Sequence, residues 1–245
     1  PVHLAKEKLS IAPIKAMAEA MGVESARSSH KTMVLGVSGM TVMDQATGYN
    51  VFANGGFSGT RHAITQILTQ SGKVAWDWDR DRPEPRRVLS PQALAAMNSI
   101  LVRIPEIGTA RRAALPDTRS AGKTGTTQSY RDAWYVGFTG NYTAAVWLGN
   151  DDFRPTRNMT GGSLPAMVWQ RLMTYAHRNV ELKPIPGIDH PFVDPSVAAK
   201  ATEAEKQRLA VLSGAMTSYL RTLSQLFRNA PPLDVARARD TLSAL

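Results

Sequence analysis

Apolar positions along this chain switch several times between helical and strand spacing. Leu4, Ala5 and Leu9, then Ile14, Met17, Ala18 and Met21, predict two helical segments over residues 1–22, with Pro13 opening the second and Gly22 ending it. Residues 25–40 read as a loop with a short apolar approach, Met33-Val-Leu-Gly36. Thr41 with Asp44 three residues on is a capping-box pattern, and the helix it starts runs over 41–52 until Asn54-Gly55-Gly56 stops it. Thr41, Tyr49 and Asn54 read as capping, packing and turn residues. Residues 62–67 and 73–78 predict an arm-like hairpin turning at Gln70-Ser-Gly-Lys73, with Trp76 and Trp78 packing on it. A charged, proline-containing loop over 79–87 leads to Ser90-Pro91, an N-cap followed by proline at the first helical position. Ala93, Leu94, Met97, Ile100 and Leu101 mark the inner face of that helix, and Pro105 bends or ends it.

Three β-rich runs follow. They are Ser120-Ala-Gly-Lys-Thr-Gly-Thr-Thr-Gln128, residues 132–139 and residues 142–149, the last two separated by Gly140-Asn141, a hairpin signal. They predict a three-strand antiparallel meander. Ser163 is placed to cap a helix over 164–176, with Met167, Val168, Leu172 and Tyr175 on the buried side. A proline-rich linker occupies residues 181–196. Past it, Leu209, Leu212, Met216, Leu220, Leu223 and Phe227 predict an amphipathic helix over 198–228, which makes 197–245 a helical C-terminal extension.

Composition narrows the class. The chain has 245 residues with 43% hydrophobic content, enough for one large domain or two small ones. No cysteine is present, which removes disulfides and thiolate metal sites. The net charge of +9 favours anionic partners. The arginines are scattered and no nucleic-acid motif accompanies them, so nucleic acid is not the expected partner. His3, His30, His62, His177 and His190 show no metal-ligand or triad spacing and read as structural or solvated. No apolar run reaches membrane-spanning length.

The strand Lys123-Thr-Gly-Thr126 carries the candidate chemistry. On an extended strand Lys123 and Gly125 share one face, and Thr124 and Thr126 share the other. Lys123 supplies fixed positive charge and the threonines supply hydroxyls. Gly125 leaves room for something to pass close to the backbone. The set suits an anionic, amide-bearing ligand lying along a strand edge.

Gly122-Lys-Thr-Gly-Thr-Thr127, Tyr130-Arg-Asp-Ala-Trp-Tyr-Val-Gly-Phe138 and Ala145-Val-Trp-Leu-Gly-Asn-Asp-Asp152 resemble the third motif and following strands of class A penicillin-binding proteins, in their D,D-transpeptidase domain. Leu35-Gly36, Thr41-Val42, Tyr49 and Phe52-Ala-Asn-Gly-Gly56 extend the likeness, which covers residues 1–180. The resemblance implies an α/β (α+β) fold: a β-lactamase/transpeptidase-like antiparallel sheet flanked by helices, here incomplete at its N-terminus. The family's first two strands lie before its nucleophile, so the 142–148 strand is expected to keep an uncovered edge, an aggregation liability. The resemblance further implies peptidoglycan stem peptides ending in D-Ala-D-Ala, and β-lactams, as ligands. No cofactor is implied. The implied location is the periplasmic face of the cytoplasmic membrane, through an anchor upstream in a longer parent.

Residue by residue, the resemblance gives Lys123 a charge that supports the active-site proton relay. It makes Lys123, Thr124, Gly125 and Thr126 substrate-binding, with the Thr124 and Thr126 positions taking the terminal carboxylate, and assigns the Thr126 N–H to the oxyanion. Arg131 and Asp132 take positioning roles. The family's other two motifs, Ser-x-x-Lys for nucleophile and base and Ser-x-Asn for the relay, are not matched. Ser28/Lys31 and Ser120/Lys123 have the first spacing. Ser28 falls well past the family's nucleophile, and Ser120 and Lys123 point apart on a strand. No Ser-x-Asn or Tyr-x-Asn occurs. The reading is therefore a peptidoglycan transpeptidase segment that begins inside its domain and is inactive alone. A β-lactamase or D,D-carboxypeptidase relative and a non-catalytic wall-binding module are its rivals.

Overall fold

The structure is a computed structural model, and it describes residues 10–25 and 31–188. The expected helix before residue 10, Ser28, and the expected elements beyond 188 lie outside the described residues.

Helix α1 spans Ile11–Ala20 and starts two residues before Pro13, which sits in a first turn that needs no amide donor. Gly22, at φ +85, turns the chain out of it. A 3-10 helix, Lys31–Leu35, lies within the expected loop. Helix α2 spans Val42–Ala53 with Thr41 as N-cap, its Oγ1 accepting the Asp44 N–H at 3.0 Å. Asn54 is the C-cap. The Asp44 carboxylate also reaches across to a second segment. It is buried and accepts the amides of Glu24 and Ser25, with the Ser25 hydroxyl and the Arg61 guanidinium also bonded to it. Burial raises the Asp44 pKa, but those donors together outweigh it and hold the carboxyl below its ordinary value.

The hairpin is shorter than the spacing predicts: β1 is Gln66–Leu68 and β2 is Val74–Asp77, paired antiparallel. His62 lies outside the strand and stacks on Trp78 at 3.6 Å, while Trp76 lies 6.2 Å from Trp78. Asp77 caps a one-turn helix, α3 (Trp78–Asp81), where a loop is expected. Helix α4 spans Pro91–Leu101 with Ser90 as N-cap, and the one-turn helix α5, Arg103–Glu106, contains Pro105.

The inner face of α4 differs from expectation. Leu94, Asn98 and Leu101 are buried, whereas Ala93, Met97 and Ile100 face outward. Asn98 sets the phase, its Nδ2 donating to the carbonyls of Phe52 at 3.1 Å and Pro186 at 2.9 Å. A buried amide that joins two segments outweighs the burial of Met97.

The main sheet has the order β3-β4-β5, with β3 Ala121–Thr126, β4 Asp132–Phe138 and β5 Thr143–Gly149, all antiparallel. Thr139 Oγ1 accepts the amides of Asn141 and Tyr142 and so tightens the β4–β5 turn. Both β3 and β5 are edges among the described residues. One sheet face packs Ala121 and Phe138 on Tyr49, Phe52 and Ala53 of α2 and on Leu101 and Val102. The other face packs Tyr135, Ala144 and Val146 against helix α6, Leu164–Ala176.

Helix α6 is rotated from its expected phase. Pro165, Ala166, Trp169 and Met173 are buried, and Met167, Val168, Leu172 and Tyr175 are outside. Trp169 decides this: its ring meets Tyr135 edge-on at 5.2 Å, and its Nε1–H donates to the Ala144 carbonyl at 3.1 Å. Ser163 does not cap α6; its hydroxyl donates to the Thr160 carbonyl at 2.6 Å and closes the preceding turn.

The first part of the expected linker is packed. Ile185 is buried with Leu101, Val102, Ala121 and Phe138. Asn141 bonds the Glu181 carbonyl and the Lys183 amide. Residues 181–188 therefore belong to the domain.

Candidate functional site

The Lys123–Thr126 segment is the exposed half of β3. Its partners on β4 are Val136, Tyr135, Trp134 and Ala133 in turn. The ladder continues into the turn through Thr127 N–H to the Asp132 carbonyl, at 3.0 Å. In an antiparallel pair the bonded residues alternate. Gly125 and Lys123 therefore spend their backbone groups on β4, while the N–H and C=O of Thr124 and the N–H of Thr126 face the outer edge. Lys123 is exposed, and its Nζ donates to the outward Thr124 carbonyl at 2.8 Å. The edge thus presents one ammonium and unspent backbone donors on a single line.

The threonine face is built by a second loop. Thr124 and Thr109 share a hydroxyl bond of 2.8 Å. Thr126 Oγ1 accepts the Gly161 N–H at 3.1 Å, which leaves the Thr126 hydroxyl hydrogen free to donate outward. Gly161 lies flat on the sheet. A Cβ there would run into the Trp134 carbonyl and lie 2.6 Å from the Gly125 oxygen and 2.9 Å from its nitrogen. The segment that passes close to Gly125 is therefore Gly161. On the opposite face, a side chain at 125 would meet Trp134 Cβ at 3.2 Å. A Cβ on Gly162 would likewise run into the Thr109 carbonyl. The adjacent glycines before an apolar helix were the available sequence signal for this contact. Thr109, Gly161 and Gly162 are the residues that sequence reasoning missed.

Asp132 is a structural lock. Its carboxylate accepts from Thr127 Oγ1 at 3.0 Å and Trp147 Nε1 at 2.9 Å, and its amide donates to Thr127 Oγ1 at 2.8 Å. This fixes the turn that ends β3. Arg131 stands over Phe153 at 5.4 Å. Ser120 is buried and donates to the Ala113 carbonyl, away from Lys123 in function as in direction. Among the described residues no His, Cys, Asp or Glu cluster could hold a metal. His177 bridges Thr139 and the Met173 carbonyl, a packing role. The arrangement can bind a carboxylate through Thr126 and an ammonium, and can donate a backbone N–H to an oxygen that gains charge.

Comparison with known proteins identifies the family. The model of the penicillin-binding protein transpeptidase domain matches residues 12–174. Penicillin-binding protein 1A of Neisseria flavescens is 34% identical over 163 residues, 63% of this chain and 20% of that protein. Penicillin-binding protein 1A of Clostridium acetobutylicum is 31% identical over 185 residues, 74% of this chain and 22% of that protein. The chain thus spans about a fifth of the length of these curated relatives. The fold is shared with PonA1 of Mycobacterium tuberculosis, solved in complex with penicillin V, at TM-score 0.62 and 23% identity over 75% of this chain and 53% of that one. Penicillin-binding protein 1A of Haemophilus influenzae gives TM-score 0.63 at 22% identity, over 79% of this chain and 37% of that one. By the match over residues 12–174, the chain belongs to the penicillin-binding protein transpeptidase domain family.

Proposed function

We propose that this chain supplies the substrate strand and oxyanion donor of a serine-type D,D-transpeptidase that cross-links peptidoglycan stem peptides. The observation that carries the proposal is the open β3 edge, where the Lys123 ammonium bonds the outward Thr124 carbonyl and the Thr126 hydroxyl, on the other face of the strand, accepts from Gly161. A stem peptide ending in D-Ala-D-Ala lies along that edge as an added strand. Its terminal carboxylate accepts from the Thr126 hydroxyl beside the Lys123 ammonium. The scissile carbonyl oxygen sits at the Thr126 N–H, and one such donor contributes about 3 kcal/mol in the transition state. The serine attacks the carbonyl carbon, the C–N bond to the last D-Ala breaks, and that amine leaves with the proton taken from the serine. An amine of a second stem peptide then displaces the serine.

Nucleophile, base and Ser-x-Asn relay come from the parent polypeptide outside this chain. The parent works at the periplasmic face of the cytoplasmic membrane, held by an upstream anchor. β-Lactams enter as mimics of the D-Ala-D-Ala end, a reading supported by the penicillin V complex of the structural relative.

A fluorescent penicillin tests this. The isolated chain is expected to show no covalent label. The parent encoded by the surrounding reading frame is expected to label one to one, with Lys123→Ala slowing it by about 100-fold or more. Stoichiometric labelling of the isolated chain overturns the shared-site reading. Unchanged labelling of Lys123→Ala in the parent overturns the role of the strand.

A further inference from the structure

The hydroxyls of Thr124 and Thr126 stand on one face of β3, and each is met by a neighbouring segment. The partner decides where each hydroxyl spends its hydrogen. Thr126 Oγ1 accepts the Gly161 N–H at 3.1 Å. An amide N–H can only donate, so the Thr126 hydrogen is left for a ligand. Thr124 Oγ1 lies 2.8 Å from Thr109 Oγ1, and a hydroxyl pair can run in either direction. With Thr109 donating, Thr124 matches Thr126: both oxygens are filled by the protein and both hydrogens are left for an anion. With Thr124 donating, its hydrogen is spent on Thr109 and Thr126 alone can serve a carboxylate.

The Thr109 backbone is fixed without help from its hydroxyl. Gly108 donates its N–H to the Arg103 carbonyl at 2.9 Å, and a Cβ at 108 would stand 2.9 Å from the Ile104 Cα. Ala110 is fully buried and donates its N–H to the Ile104 carbonyl at 3.2 Å. Gly162 packs on the Thr109 carbonyl. The Thr109 side chain itself is exposed, where water replaces a lost hydroxyl bond at little cost to folding. Among the described residues its hydroxyl has no hydrogen-bond partner except Thr124. Its branched Cβ restricts χ1 and keeps the hydroxyl aimed there.

We propose that Thr109 is a positioning residue for carboxylate recognition. Its O–H donates to Thr124 Oγ1, and the Thr124 O–H then donates to the ligand carboxylate beside that of Thr126. Thr109 acts through Thr124 and touches no reacting atom. No proton is transferred; the pair polarises in line, which strengthens the bond to the anion. The proposal rests on the reading of Thr124 and Thr126 as the seat of the terminal carboxylate.

The test uses the parent protein and two ligands, a fluorescent penicillin and its methyl ester, in which the carboxylate is blocked. Thr109→Val keeps the shape and removes the hydroxyl. It is expected to slow labelling by the acid about tenfold and by the ester less than about twofold, since a hydrogen bond to a charged group is the stronger kind. Thr109→Ser returns the hydroxyl and is expected to restore the acid rate to within about twofold of wild type. On a Thr124→Val background, Thr109→Val is expected to slow labelling less than about twofold further, because the two act as one unit. The 245-residue chain carrying Thr109→Val is expected to melt within about 2 °C of wild type. Equal slowing of acid and ester overturns the proposal, as does Thr109→Ser labelling as slowly as Thr109→Val. A tenfold loss that persists on the Thr124→Val background overturns it too. Lys123→Ala separates this proposal from the reading beneath it. If Lys123→Ala slows labelling and Thr109→Val does not, Thr109 alone loses its role; if neither slows it, both readings fall.

Discussion

Replacing Gly161 by alanine adds one carbon at the place where the second loop meets β3. That carbon would overlap the Trp134 carbonyl and stand 2.6 Å from the Gly125 oxygen, both parts of a hydrogen-bonded ladder that cannot yield as a side chain would. The loop must lift. Lifting breaks the Gly161 N–H bond to Thr126 Oγ1, worth about 1 kcal/mol net. Forced overpacking adds about 1–3 kcal/mol. The expected loss is about 2–4 kcal/mol, or roughly 5–15 °C in Tm for a domain of this size. Thermal unfolding by circular dichroism measures it. Gly39→Ala is the control, because a Cβ there meets nothing within 4 Å and the φ is not positive; its Tm is expected within about 2 °C of wild type. Released from Gly161, the Thr126 hydroxyl is free to turn away from the edge, so the parent enzyme carrying Gly161→Ala should also label more slowly with penicillin. A Gly161→Ala melting curve that superimposes on that of Gly39→Ala would refute the reasoning, since the close approach would then carry no cost.

Three further outcomes are expected. Asn98→Ala leaves the carbonyls of the half-buried Phe52 and Pro186 without their donor and should cost about 1–3 kcal/mol in urea unfolding, with amide exchange rising first near residue 186. The Asp44 carboxyl titrates below its ordinary value, so its stabilisation is complete above about pH 4 and lost as pH falls through the lowered folded-state value; Asp44→Asn should flatten that acid limb in stability measured from pH 6 to pH 2. Asp132→Asn keeps size and removes charge from a carboxylate that holds Thr127 and Trp147, and it should cost about 1–3 kcal/mol by the same unfolding assay.

The elements whose local chemistry admits a single reading were legible in the sequence. Thr41 and Ser90 cap the helices they precede, and the two runs around Gly140-Asn141 pair as a hairpin. That Lys123-Thr-Gly-Thr126 lies on a strand was legible from its place ahead of the two hairpin runs. Helix phase was not legible where both faces are apolar. In α4 the buried polar Asn98 wins over Met97 and Ile100, and nothing in one-dimensional spacing reveals that its partners lie 46 and 88 residues away. In α6 the apolar count favours the outer face, yet Trp169 needs the Ala144 carbonyl and the Tyr135 ring, and only the inner face supplies them. The glycine pair at 161 and 162 was a visible signal, but the strand it packs on is revealed only by the tertiary contact.

The packed segment after α6 also fixes where this domain can be cut. Ile185 plugs the space among Leu101, Val102, Ala121 and Phe138, at the base of the same strand that ends in Thr126. A boundary chosen at the last helical residue would uncork that space directly beneath β3, and removing a buried isoleucine alone costs about 2–5 kcal/mol. Expression variants, fusion joints and protease-trimmed forms that stop after residue 188 retain the plug, and those that stop at 177 are expected to surrender solubility and the shape of the substrate strand together.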